Sequence, residues 1–150
     1  DDPQRDVCLA RDRALSLVKS GSLHCVWSDR KLTIDNLDID HCFPWFSWPC
    51  SDLWNLLPSE RSVNQHQKRN RLPSAIIMHD ASERIMDWWR GAYAKDHILH
   101  QRFIHEATST LPGLISPSEG AELKNIYEAV QIQRARLQQM QQVPEWTAVR

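Results

Sequence analysis

The sequence predicts an α+β fold, and three observations carry that reading. Residues 23–74 hold short apolar runs of strand character, broken by proline and by polar turns. Residues 75–143 instead repeat apolar side chains at helical spacing, and a shorter helical period precedes the first strand run. No internal repeat and no linker long enough to divide the chain is present, so 150 residues predict a single domain spanning 1–150.

In residues 5–19, Val7, Leu9, Ala10, Ala14, Leu15, Leu17 and Val18 fall on one helix face, and Gly21 is placed to end it. Residues 23–27 (Leu-His-Cys-Val-Trp) read as a strand, 28–31 as a turn, and 32–40 as a returning strand with Leu32, Ile34, Leu37 and Ile39 in partial alternation. Pro44 and Pro49 keep the next segment irregular, and Phe43, Trp45, Phe46 and Trp48 make it an apolar loop that must pack on something. Residues 53–57 read as another strand, closed by Pro58. A short helix is expected from Ser59 to about Asn70, with Ser59 or Ser62 as its cap and Leu72-Pro73 as its end. Three helices follow: from Ser74 to near Gly91, over 96–109 before Pro112-Gly113, and over 118–142 with its cap among residues 118–121.

Composition excludes several classes. No run approaches the roughly 20 apolar residues of a membrane span, and no signal-peptide pattern is present, so a cytoplasmic protein is expected. Four cysteines without a C-x-x-C pair, Cys8, Cys25, Cys42 and Cys50, read as small buried apolar residues. The seven tryptophans, five of them between Trp45 and Trp89, read mainly as core. A net charge of −1 gives no overall basic excess for polyanion binding, so any basic surface must be local. A chain that starts at Asp1 fits an excised domain or a processed protein, and a larger assembly that delivers the substrate is the expectation.

The chemistry concentrates in residues 37–74. Asp40 and His41 close the second strand, Asn55 follows fourteen residues after the histidine, Asn64 nine further on, and Leu72-Pro73-Ser74 closes the segment. In these residue types and spacings the segment resembles the HNH nucleases, in particular the HNH domain of RNA-guided CRISPR nucleases, over about residues 23–74. The resemblance implies a ββα-metal core, here with one N-terminal and about three C-terminal helices added. It implies a metal-dependent endonuclease acting on DNA, with His41 as general base, Asn55 bracing the loop behind it, and Asp40 and Asn64 holding one Mg²⁺ (or Mn²⁺ in its place). It also implies an effector role in bacterial defence of the restriction or CRISPR type. The residue types suit that chemistry. An imidazole takes a proton near neutral pH, and carboxylate and amide oxygens are the hard donors Mg²⁺ prefers. Adjacent strand residues point to opposite faces, so Asp40 and His41 share a site only if the strand breaks there.

Two departures stand out. Where relatives carry two C-x-x-C pairs around a structural zinc, this chain has Cys25 and Ser28, then Glu60 and Val63, so no structural zinc is expected. The basic residue after Asn64 is one place late, with Gln67 at the third position and Lys68 at the fourth. Arg61, His66, Lys68, Arg69 and Arg71 are candidates for contacting nucleic-acid phosphates, against an ordinary solvated helix face. His97, His100 and His105 read as surface residues rather than metal ligands, and Trp88-Trp89 as core. A ribonuclease on the same scaffold, or a docking domain with weak activity of its own, are the competing functions.

Overall fold

A computed structural model describes residues 6–114 and 122–150. The fold is α+β: helices α1 (Cys8–Lys19), α2 (Ala75–Trp89), α3 (His97–Thr110) and α4 (Leu123–Gln141) surround two small sheets. The first sheet pairs β1 (Leu37–His41) antiparallel with β2 (Leu56–Glu60), in the register Leu37↔Glu60 through His41↔Leu56. The second pairs β3 (Leu72–Pro73) in parallel with β4 (Glu145–Trp146).

Each helix has a local cause. Ala10 and Ala14 are the fully buried positions of α1, and beyond its end Gly21 takes φ +78°, a left-handed conformation that costs a glycine little. The Ser74 hydroxyl caps α2 by accepting from the Ile77 N–H at 3.2 Å. Asp96 caps α3 by accepting from Ile98 and Leu99 at 2.9 and 3.1 Å. Residues 1–5 and the expected capping residues 118–121 lie outside the described chain.

The helical part and the sheet share one core. The Trp88 indole donates to the Leu56 carbonyl at 2.9 Å, the Tyr127 hydroxyl donates to the Met78 carbonyl, and Arg84 Nε reaches the Val26 carbonyl at 2.8 Å. Trp89 packs against Phe103 and Tyr127, and Tyr93 stacks on Phe103 at 5.6 Å. The Trp88-Trp89 pair is therefore core. Cys25, Cys42 and Cys50 are buried, whereas Cys8 is exposed, because it opens a helix whose buried stripe is the two alanines.

The strand expected at 23–27 does not form. Its backbone groups are used by a tight turn: Cys25 N–H donates to the Arg30 carbonyl at 2.8 Å, Asp29 N–H to the Cys25 carbonyl at 2.9 Å, and only His24 bridges Lys31. The strand expected at 53–57 starts later, after a 3₁₀ turn over Leu53–Asn55, and continues through Pro58. A proline fits there because β2 has a neighbour on only one side. Ser59, expected as a helix cap, lies within β2, and its hydroxyl donates to the Glu60 carbonyl at 3.1 Å. The following helix is wound with the wide i→i+5 turns of a π-helix over Val63–Lys68, and Ser62 makes no side-chain cap.

Candidate active site

Residues i and i+2 of a strand share a face, which puts Asp38 and Asp40 of β1 on the same side. The wide-turn helix crosses that side. Asn64 Nδ2 donates to Asp38 Oδ2 at 3.0 Å. Lys68, fully buried, donates from Nζ to Asp40 Oδ1 at 3.1 Å and to the His41 carbonyl at 2.8 Å. The other Asp40 oxygen accepts from the Trp27 indole at 2.9 Å. Burial pushes the Asp40 carboxyl above its ordinary range, and neighbouring Asp38 adds to the rise, while Lys68 and the Trp27 N–H pull against it.

The wide turns explain the late basic residue. A π-turn holds more residues per turn than an α-turn, so the fourth residue after Asn64 comes round to the face that the third would occupy on a tighter helix. Lys68 thus lies inside the structure and not on the nucleic-acid-facing surface expected for it.

β1 continues through His41, which pairs with Leu56, so no break separates Asp40 from His41 and their side chains leave opposite faces. His41 Nε2 lies 3.2 Å from the Ser51 hydroxyl, and its ring meets Trp45 edge-on at 5.7 Å. Asn55, fully buried, holds the loop beyond His41: its Oδ1 accepts from Phe43 N–H at 2.9 Å and its Nδ2 donates to the Cys50 carbonyl at 2.8 Å. Phe43, Trp48 and Trp54 pack edge to face beneath that loop, which is what its apolar composition required.

The structure gives Asn64 a different carboxylate from the one expected. Its partner is Asp38, and Asp40 is engaged by Trp27 and Lys68. Sequence reasoning passed over Asp38, although its i+2 relation to Asp40 was the available signal. It also missed Trp27, which holds Asp40, and Ser51, which touches His41. Of the remaining candidates, Arg61 is exposed but spends its guanidinium on the Asp35 and Leu37 carbonyls at 2.8 and 3.2 Å. His66 and Arg69 are exposed, and Arg71 is half-buried, donating to the Gln67 and Lys68 carbonyls.

Cys25, Ser28 and Glu60, three of the four positions where the resemblance would place zinc ligands, meet in a hydrogen-bonded clip. Ser28 N–H donates to the Cys25 sulfur at 3.4 Å, and Glu60 Oε1 accepts from the Ser28 hydroxyl at 2.5 Å and from Arg30 Nε at 2.7 Å. Partial burial raises the Glu60 carboxyl, but Ser28 and Arg30 together bring it below its ordinary range.

Among the described residues, no three His, Cys, Asp or Glu side chains cluster as a metal site. Two carboxylates and an amide do come together, however, and amide nitrogen and oxygen are interchangeable by a flip. With Asn64 turned, two oxygens would lie about 3.0 Å apart, close to the roughly 2.9 Å edge of an octahedron built on Mg–O bonds of about 2.0–2.1 Å. The residues fit a hard divalent cation.

An antiparallel strand pair and a crossing helix thus present acid, amide and histidine side chains within one segment. The comparison with family models places it: residues 25–74 match the family described as HNH endonuclease. Over that segment, a third of its length, the chain is similar to the HNH endonucleases, a family that generally depends on a divalent metal. Neither the curated proteins nor the solved structures contain a match to the chain. No helix among the described residues is long and apolar enough to cross a membrane.

Proposed function

We propose that the chain is a Mg²⁺-dependent DNA endonuclease whose ion-holding groups lie on the face shared by β1 and the wide-turn helix, with His41 at the C-terminal end of the strand, on its other face. The observation that carries this is the 3.0 Å approach of Asn64 to Asp38, beside Asp40, on the strand that ends in His41. Asp38 and Asn64 would hold the ion, with Asp40 as the further acidic donor when Lys68 releases it. The ion would supply positive charge to the phosphate under attack and to the leaving oxygen.

The chain's own groups do the rest. His41 would take the proton of the attacking water as general base once the strand end turns its ring, now 3.2 Å from the Ser51 hydroxyl, toward the phosphate at the acidic face. Asn55 fixes the loop that follows, so the imidazole keeps one position. Lys68 joins the Asp40 side chain to the His41 backbone and so keeps the acidic face and the base in a fixed relation. The resemblance of the His41, Asn55 and Asn64 spacing to the HNH domain of RNA-guided CRISPR nucleases is what supports an effector role in bacterial defence within a larger assembly.

A supercoiled-plasmid nicking assay tests this. Nicking is expected with Mg²⁺, none in EDTA, and a loss of about 10²–10⁴-fold in His41→Ala with unchanged circular dichroism. His41→Ala nicking at the wild-type rate would remove the general-base assignment, and activity on RNA alone would move the substrate to the other nucleic acid.

A further inference from the structure

The last described residues return to the motif. β4 pairs with β3 directly after the wide-turn helix, and Gln67 clamps the backbone of Arg150, with Nε2 donating to its carbonyl at 3.0 Å and Oε1 accepting from its N–H at 2.8 Å. Between the tail and the helix end lies an open cleft of about 710 Å³, whose walls include His66, Gln67, Arg69, Arg71, Trp146 and Arg150. No acidic side chain lines it among the described residues. For a chain of net charge −1 this is a concentrated basic concavity.

Three further features set the cleft apart. Arg69 is held at φ +53°, a left-handed conformation that strains a non-glycine residue, and it stays exposed there. Trp146 is buried, and its indole N–H has no partner among the described residues. Trp146 also packs edge-on against Trp27 at 5.6 Å, and Trp27 holds Asp40, so the cleft wall connects to the acidic face through two side chains.

We infer that this cleft is a second phosphate-binding subsite, which grips the polynucleotide backbone away from the bond to be cut, and that the tail residue Arg150 supplies part of it. The ligand class is a phosphodiester strand. Arg69 and Arg150 have exposed side chains in no ion pair among the described residues, and Arg71 keeps its charge on the wall while capping the helix carbonyls. The inference rests on the nuclease reading for the identity of the strand, but it concerns binding and not chemistry.

The test is fluorescence anisotropy of labelled duplex DNA on the full chain bearing His41→Ala, in EDTA, over a salt series. Arg69→Gln and Arg150→Gln, each added to that background, should weaken binding alike for different sequences. Each should also reduce the slope of log Kd against log salt by about 0.9, while Arg11→Gln on the exposed side of α1 leaves it unchanged. The Arg150 clamp uses only backbone atoms, so its substitution preserves the tail's anchorage. An unchanged slope in the Arg69→Gln/Arg150→Gln double variant overturns the subsite even if the wild type nicks DNA. A reduced slope upholds it even if the wild type proves unable to cleave, in which case the nuclease reading alone falls.

Discussion

The motif segment, residues 25–74, and the helices that follow it are stabilised in opposite ways. The helices bury aromatic and aliphatic stripes, α2 and α3 begin on side-chain caps, and the region leaves the Trp89 N–H and the Tyr93 hydroxyl buried without partners among the described residues. In the motif, Asp40, Asn55 and Lys68 are buried, and each is hydrogen-bonded to named groups. The helices are held by packing and tolerate imperfect polar pairing, whereas the motif depends on every buried polar contact. A polar core of that kind is costly to break on one side, because the surviving partner is left desolvated.

Splitting the buried Asp40–Lys68 ion pair should have the largest effect. Lys68→Met should cost about 3–5 kcal/mol in a urea melt, because Asp40 is left as a lone buried charge. The double variant Asp40→Asn/Lys68→Met should recover most of that loss. The sign of the pH dependence follows from the raised Asp40 carboxyl. Its folded-state contribution is full below the unfolded value near 3.8 and is lost as pH rises through the folded value. The Lys68→Met penalty should therefore shrink on acidification, and a pH-independent penalty would mean that Asp40 is not the group left behind.

Asn55→Ala should cost about 1–3 kcal/mol for each backbone group it abandons, at Phe43 and Cys50, and should lower nicking because the loop after His41 loses its brace. Asp96→Ala, on the packing-held side, should cost about 0.5–2 kcal/mol and leave nicking unchanged. The smallest effect is expected at the clip. Glu60 lies below its ordinary range, so its contribution is present above pH 4.5 and lost as pH falls through its folded value. Ser28→Ala should lower stability slightly at neutral pH, and the deficit should vanish as pH falls through the folded value of Glu60.

The same division governs what could be read from the sequence. α2 and α3 were legible because Ser74 and Asp96 announce their starts and apolar periodicity runs behind each. The strand placed at 23–27 was not, because its Leu-His-Cys-Val-Trp composition has β character while its backbone bonds are taken by residues 29–32 and by Pro58. The positions of His41, Asn55 and Asn64 were legible as types and spacings. Which carboxylate meets Asn64 was not, since that depends on the π-winding over Val63–Lys68, which no local pattern signals. The pairing of the C-terminal tail with β3 was equally silent: two residues on each side carry no periodicity, and the contact joins segments about seventy residues apart.

The proposed metal-holding core of the nuclease site is the Asp38–Asn64 pair. Plasmid nicking in Mg²⁺ by wild type, Asp38→Ala and Asn64→Ala, each matched by circular dichroism, tests it directly. Nicking by the wild type and its loss in both folded variants is the predicted result, and Asn64→Ala nicking at the wild-type rate would contradict it.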